Sequence, residues 1–155
     1  MKKILTLFIA CAFALSAQAQ KKLTEKDLLG HWTMGAMQMS MGTIDFKNQT
    51  FTISEEAKEE FEGEEIDQLG EVLLETLAYV GDYYLDFKKD NMLEHNLDGE
   101  SEGPYKLVSK NGKQYLTDGE VEGDEEIEIY IADSRLHFKM IDDEDGSDIV
   151  MIFDK

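Results

Sequence analysis

Residues 127–141 read IEIYIADSRLHFKMI, and their alternation decides the fold. Ile127, Ile129 and Ile131 share one face, with Glu128 and Tyr130 between them. After Asp133-Ser134 the pattern resumes, with Leu136, Phe138 and Met140 opposite His137 and Lys139. A period of two with β-branched and aromatic residues describes a strand that buries one face. Two such strands on a two-residue link describe an antiparallel hairpin.

The same pattern runs outward in both directions. Upstream stand Tyr83, Leu85 and Phe87, then Tyr105 and Leu107, then Tyr115 and Thr117. Downstream, Ile149, Met151 and Phe153 complete it. The breaks are short and polar: Asp90-Asn91, DGESEG at 98–103, Asn111-Gly112, DGEVEG at 118–123, and DDEDG at 142–146. Asn-Gly is the strongest two-residue hairpin signal. The expectation is a mainly β protein: a small antiparallel up-and-down barrel of roughly seven to nine strands.

The first half of the chain differs. TMGAMQMSM, GTIDF and QTFTI read as one or two strands. Thr24 caps a short turn, and Ser54 caps a helix whose first turn holds Glu55 and Glu56. Phe61, Ile66, Leu69, Leu73, Leu77 and Val80 then follow near helical spacing. Gly63 and Gly70 divide that stretch, each costing about 1 kcal/mol against alanine inside a helix. The expectation is a helical insertion over about 54–80, as one helix or two. No linker splits the chain after residue 19, so 20–155 is expected to be a single domain.

The N-terminus has the anatomy of an export signal. Lys2 and Lys3 precede the apolar run Ile4–Leu15, and Ala17-Gln18-Ala19 supplies small residues for cleavage. Residues 1–19 are therefore expected to leave as a secretory signal peptide, giving a periplasmic or extracellular protein. The run is too short for a comfortable permanent anchor, so no stable membrane insertion is expected after cleavage. Lipidation at Cys11 is the rival reading, and Phe8-Ile9-Ala10 before it is a poor lipobox. Cys11 is the one cysteine, so the exported chain has no disulfide and its core must hold it.

The chain of 155 residues carries 34 acids against 15 Lys and Arg, for a formal charge of −19. Such a surface repels nucleic acid and anionic lipid, and favours solubility, cations or basic partners. The three acidic breaks contain no Lys or Arg. Alternate connections of a meander lie at the same end, so all three are expected to form one anionic rim. Asp98, Glu100, Glu102, Asp118, Glu120, Glu122, Asp142, Asp143 and Asp145 are its candidate calcium ligands, since clustered carboxylates suit a hard cation. EF-hand loops they are not. Position twelve from Asp98 is Ser109, and from Asp118 it is Ile129.

Catalysis is not expected. With no cysteine after the leader, no cysteine nucleophile is available. No serine sits in a Gly-x-Ser-x-Gly elbow, and no phosphate-cradling glycine loop occurs. His31, His95 and His137 show no metal-ligand spacing. Met37, Met39 and Met41 fall on one strand face, which suits either an adaptable apolar pocket or a cuprous ion.

Gly30-His31-Trp32, opening the first strand of a secreted meander barrel, resembles the lipocalins and bacterial lipocalin-like proteins. The resemblance implies a calycin-type barrel with Trp32 closing one end and a small, mostly apolar ligand inside. It also implies an arginine from the last strand stacked on the Trp, whereas the only arginine, Arg135, lies one strand earlier and at a turn. The expected lining is Met37, Met39, Met41, Tyr83, Leu85, Phe87, Tyr105, Tyr115 and Phe138. No resident cofactor is expected, with Ca2+ at the rim as the exception. The anionic rim extends the ligand class to cationic amphipaths. The reading from another class is a filled-core acidic module for a basic protein, or a weak calcium binder.

Overall fold

In a computed structural model of the chain, the alternating segments pair into a curled antiparallel sheet. The structure describes residues 22–61, 66, 68, 70, 83–97, 99–118, 126–141 and 146–155. The leader over 1–19 lies outside them, as does most of the helical insertion beyond Phe61. The strands are β1 (Gly30–Met39), β2 (Gly42–Asp45), β3 (Thr50–Ile53), β4 (Tyr84–Phe87), β5 (Met92–Asn96) and β6 (Glu100–Pro104). They continue as β7 (Lys106–Lys110), β8 (Lys113–Thr117), β9 (Ile127–Ala132), β10 (Arg135–Ile141) and β11 (Asp148–Asp154). Two short helices are described, α1 (Glu25–Leu28) and α2 (Glu55–Glu60).

Hydrogen bonding runs in the order β6-β5-β4-β1-β11-β10-β9-β8-β7, with the β2–β3 hairpin attached to the upper half of β1. The two ends of that path, β6 and β7, are consecutive in the chain and separated only by Tyr105. They are two halves of one strand that changes partner, from β5 to β8. Counted as one, they leave an even number of strands, so antiparallel neighbours can run the whole way round. The result is a half-open barrel, its seam bounded by the free edges of β6 and β7.

The hairpins use the expected turn chemistry. Asn111 and Gly112 both have positive φ (52° and 81°), the mirror-image turn that matches strand twist. Asp133 and Ser134 adopt the same geometry at 51° and 63° without a glycine. Thr24 caps α1 through Asp27, whose carboxylate accepts from the Thr24 N–H at 2.8 Å. Ser54 caps α2 by accepting from the Ala57 N–H at 3.1 Å. Helical backbone recurs at Ile66, Gln68 and Gly70; the rest of the expected insertion to residue 80 is outside the described residues.

The core is dense at one end. Leu28, Leu85, Leu136 and Phe153 are completely buried there, beside Trp32, Phe87, Ile129 and Phe138. Fully burying side chains of this size stabilises by roughly 1.5–3 kcal/mol each. Trp32 donates its indole N–H to the Leu28 carbonyl at 2.6 Å, which pins α1 beneath the barrel. Gln114 adds a second clasp, with its amide bonded to both backbone groups of Leu23. Gly30 has a φ of +109°, a conformation that glycine adopts at little cost and other residues do not. β11 is buried on both faces, with Val150 and Ile152 packing on Ala36 outside the main core.

Strand directions place the loops. The bounding strands bring Asn96 and Glu100, Thr117 and Ile127, and Ile141 and Asp148 to one end of the sheet. Trp32, Asn91, Gly112 and Asp133 stand at the other. The three acidic connections therefore leave from the end opposite Trp32. Of the rim candidates, Asp98, Glu120, Glu122, Asp142, Asp143 and Asp145 lie outside the described residues. Glu100 and Glu102 prove to be strand rather than loop residues. Glu102 stands on the outer face and pairs with Lys88 at 3.2 Å, beside Glu94 at 2.7 Å. Alternation explains this: Ser101 and Gly103 take the inner face of β6, so the acids between them must point out.

Candidate ligand-binding cavity

Among the described residues, the barrel is packed at the Trp32 end and hollow at the other. Above the core sits a cavity of about 870 Å3. Its depth is bounded by Leu85, Leu93, Tyr105, Leu116, Phe138 and Met151, and its mouth by Tyr83, Leu97, Ser101, Asp118, Ile127 and Met140. That volume is in the range that encloses a drug-sized molecule. The mouth faces the end from which the acidic connections emerge.

Strand register builds the walls. Leu85, His95 and Ser101 stand directly opposite one another across β4, β5 and β6. Met37, Met151 and Phe138 do the same across β1, β11 and β10. A bulge between Met34 and Ala36 resets the alternation of β1. It keeps Met37 on the same side as Met34, which packs on the core. The first row carries polar groups, and the second is aromatic and thioether. Methionine is flexible and polarizable, so the second wall can adapt to the shape placed against it.

Two polar atoms in this lining are buried without a partner among the described residues: His95 Nδ1 and the Tyr105 hydroxyl. Buried polar groups in native proteins are nearly always hydrogen-bonded. Burial pushes the Tyr105 hydroxyl above its ordinary 10.0, and the nearby Glu25 carboxylate adds to the rise. The ring also packs edge-on against Phe87 at 5.2 Å.

Of the expected lining, Met37, Tyr83, Leu85, Tyr105 and Phe138 border the cavity. Phe87 does not; it is buried below, between Trp32 and Tyr105 in the packed core. Met39 ends β1 opposite Gly42, and Met41 lies in the following turn, where its carbonyl accepts from Ser54. Tyr115 is also displaced. Leu116, its neighbour, is buried in the core, and a shift of one residue along a strand exchanges faces. Leu93, His95, Leu97, Gly103, Met140 and Met151 enter the lining instead. Extending the alternation through β5 would have found the first three.

No arginine stacks on Trp32; Lys155 stands over it. Its ammonium lies 4.9 Å from the ring centroid, just past the end of the last strand. Arg135 binds Asp154 instead, at 2.7 and 3.1 Å, on the outer face beside Gly35. Among the described residues, no three His, Cys, Asp or Glu side chains converge as a metal site. No described helix is long and apolar enough to cross a membrane. Comparison with protein-family models, curated protein sequences and solved structures finds no match. The class that the chain defines is thus structural: a mainly β, half-open antiparallel barrel whose described residues leave one end hollow.

Proposed function

We propose that the chain is an exported, lipocalin-like protein that binds a small, largely apolar ligand in the hollow end of its barrel. The observation that carries this reading is the cavity of about 870 Å3, walled mainly by Met, Leu and aromatic side chains with a few polar groups. A filled-core module would close that space with side chains. Trp32 closing the opposite end, under the ammonium of Lys155 just past the last strand, supports the lipocalin-like reading. Export rests on the leader at 1–19.

The test is native mass spectrometry of the protein exported under its own leader, with titration by the neutral apolar fluorophore N-phenyl-1-naphthylamine. The expected results are an N-terminus at Gln20, a co-purifying small molecule, and saturable one-to-one fluorophore binding. Absence of saturable binding would end the ligand reading, and an uncleaved N-terminus would end the export reading.

A further inference from the structure

Residues 20–155 contain no cysteine, so their sulfur chemistry belongs to methionine alone. Of the eight methionines, Met37, Met140 and Met151 line the cavity. Met151 is 6% exposed, whereas Met37 on β1 and Met140 on β10 are half-buried. Met34 packs on the core instead. Met92 stands on the outer face of β5, because Leu93 and His95 take the inner one. A small molecule that enters the cavity therefore meets the thioethers of Met37 and Met140.

A peroxide is such a molecule, and its reaction with a thioether is simple. The Sδ lone pair attacks one peroxide oxygen, the O–O bond breaks and an S–O bond forms. Sulfur is oxidised by two electrons, and the departing oxygen leaves as water with both peroxide protons. The product, methionine sulfoxide, is polar where the thioether was apolar, and sulfoxide reductases reverse the change. Its new oxygen accepts hydrogen bonds, but the cross-strand neighbours have no donor to give. Met37 lies between Ile44 and Met151, and Met140 lies opposite Ile149. A polar oxygen left in water costs nothing, whereas one covered by an apolar molecule without a donor is penalised. Oxidation thus acts against the filled cavity more than against the empty one.

We propose that Met37 and Met140 are oxidation sites through which a peroxide empties the cavity, and that sulfoxide reduction restores it. This assignment rests on reading the cavity as a ligand site. The full exported chain is treated with hydrogen peroxide, with and without saturating N-phenyl-1-naphthylamine. Peptide mass spectrometry locates the sulfoxides, fluorescence titration gives probe affinity, and circular dichroism melts report the fold. The expected result is sulfoxide at Met37 and Met140, with the chain still folded. Probe affinity should fall at least tenfold and recover after treatment with both methionine sulfoxide reductases. Saturating probe should slow oxidation of Met37 and Met140 but not of Met92. Met37→Leu/Met140→Leu keeps the apolar volume and removes both sulfurs, so its affinity should change less than about twofold on treatment, measured against its own untreated value. Met92→Leu should lose affinity as the wild-type chain does.

Affinity unchanged with both sulfoxides formed, an equal loss in the double variant, or a loss that accompanies unfolding would overturn the assignment. So would a loss that the reductases do not reverse, or oxidation of Met92 that leaves Met37 and Met140 intact. Should the double variant fail to fold, equal oxidation of Met37 and Met140 with and without probe would overturn it. In each of these cases the probe still binds the untreated chain, and only this assignment falls. If the probe does not bind the untreated chain, the ligand reading itself falls.

Discussion

Gly103 offers a direct way to fill the hollow end. It sits on the inner face of β6, opposite Leu93, and borders the cavity. A Cβ built on it has no heavy atom within 4 Å, and its backbone is not in the positive-φ region. Gly103→Phe should therefore place a ring in open space without moving the wall. Full burial of such a ring stabilises by roughly 1.5–3 kcal/mol. Removing glycine from a strand adds about 0.5–1 kcal/mol, while ordering the new side chain costs up to about 1 kcal/mol. The net expectation is a gain of about 2 kcal/mol, or a Tm rise of roughly 4–8 °C for a chain of this size. The same ring takes space and wall area from any ligand, so affinity for N-phenyl-1-naphthylamine should fall at least tenfold. Thermal melts followed by circular dichroism, with fluorescence titration of the same samples, measure both quantities. The combination of higher stability and weaker binding marks a cavity kept open for use. A lower Tm with unchanged probe affinity would refute the reasoning, since Gly103 would then not face the hollow.

Three further perturbations probe how the walls are held. Ser134→Gly should stabilise by about 1 kcal/mol, because Ser134 sits at φ 63° in an exposed turn whose left-handed conformation only glycine adopts freely; urea denaturation reads the shift in midpoint. Gly42→Ala should lose more than about 2 kcal/mol, as its methyl would fall 2.2 Å from the Thr52 carbonyl oxygen and break the β2–β3 hairpin; a melt at wild-type level would contradict this. The hydrogen bond from Lys88, then that from Tyr84, holds the Glu94 carboxyl below its ordinary 4.5. A carboxyl whose folded value is depressed contributes stability above the unfolded value and loses it as pH falls through the folded one. Glu94→Gln should accordingly flatten the loss of stability below pH 4.5, measured by urea melts across the acid range.

Most of the wall was legible because one physical rule wrote it. Residues 127–141 alternate so cleanly that Ile129, Leu136 and Phe138 could only be buried together, and they are. The turns were equally plain, since Asn111, Gly112 and Asp133 are residue types that tolerate positive φ. The seam was not legible. Tyr105 looks like an ordinary strand residue, and nothing local marks it as the point where one strand changes partner from β5 to β8. DGESEG misled for the same reason. Its composition is that of a turn, yet its last four residues belong to β6, held by ladder bonds to β5 and by Lys88 outside.

The lining was half legible, and the missing half follows a physical pattern. Alternation identifies an inner face, but it does not say which inner residues meet one another and which meet empty space. Phe87 and Leu85 share a face two residues apart; one is sealed against Tyr105 and the other borders the hollow. That difference is set by depth, and depth is set by register across strands far apart in sequence. His95 was passed over because it has no partner at metal-ligand spacing, a test suited to metal sites alone. What places it in the lining is alternation through β5, where Leu93, His95 and Leu97 share one face. Register across β4, β5 and β6, not spacing along the chain, is what brings His95 beside Leu85 and Ser101 in the lining.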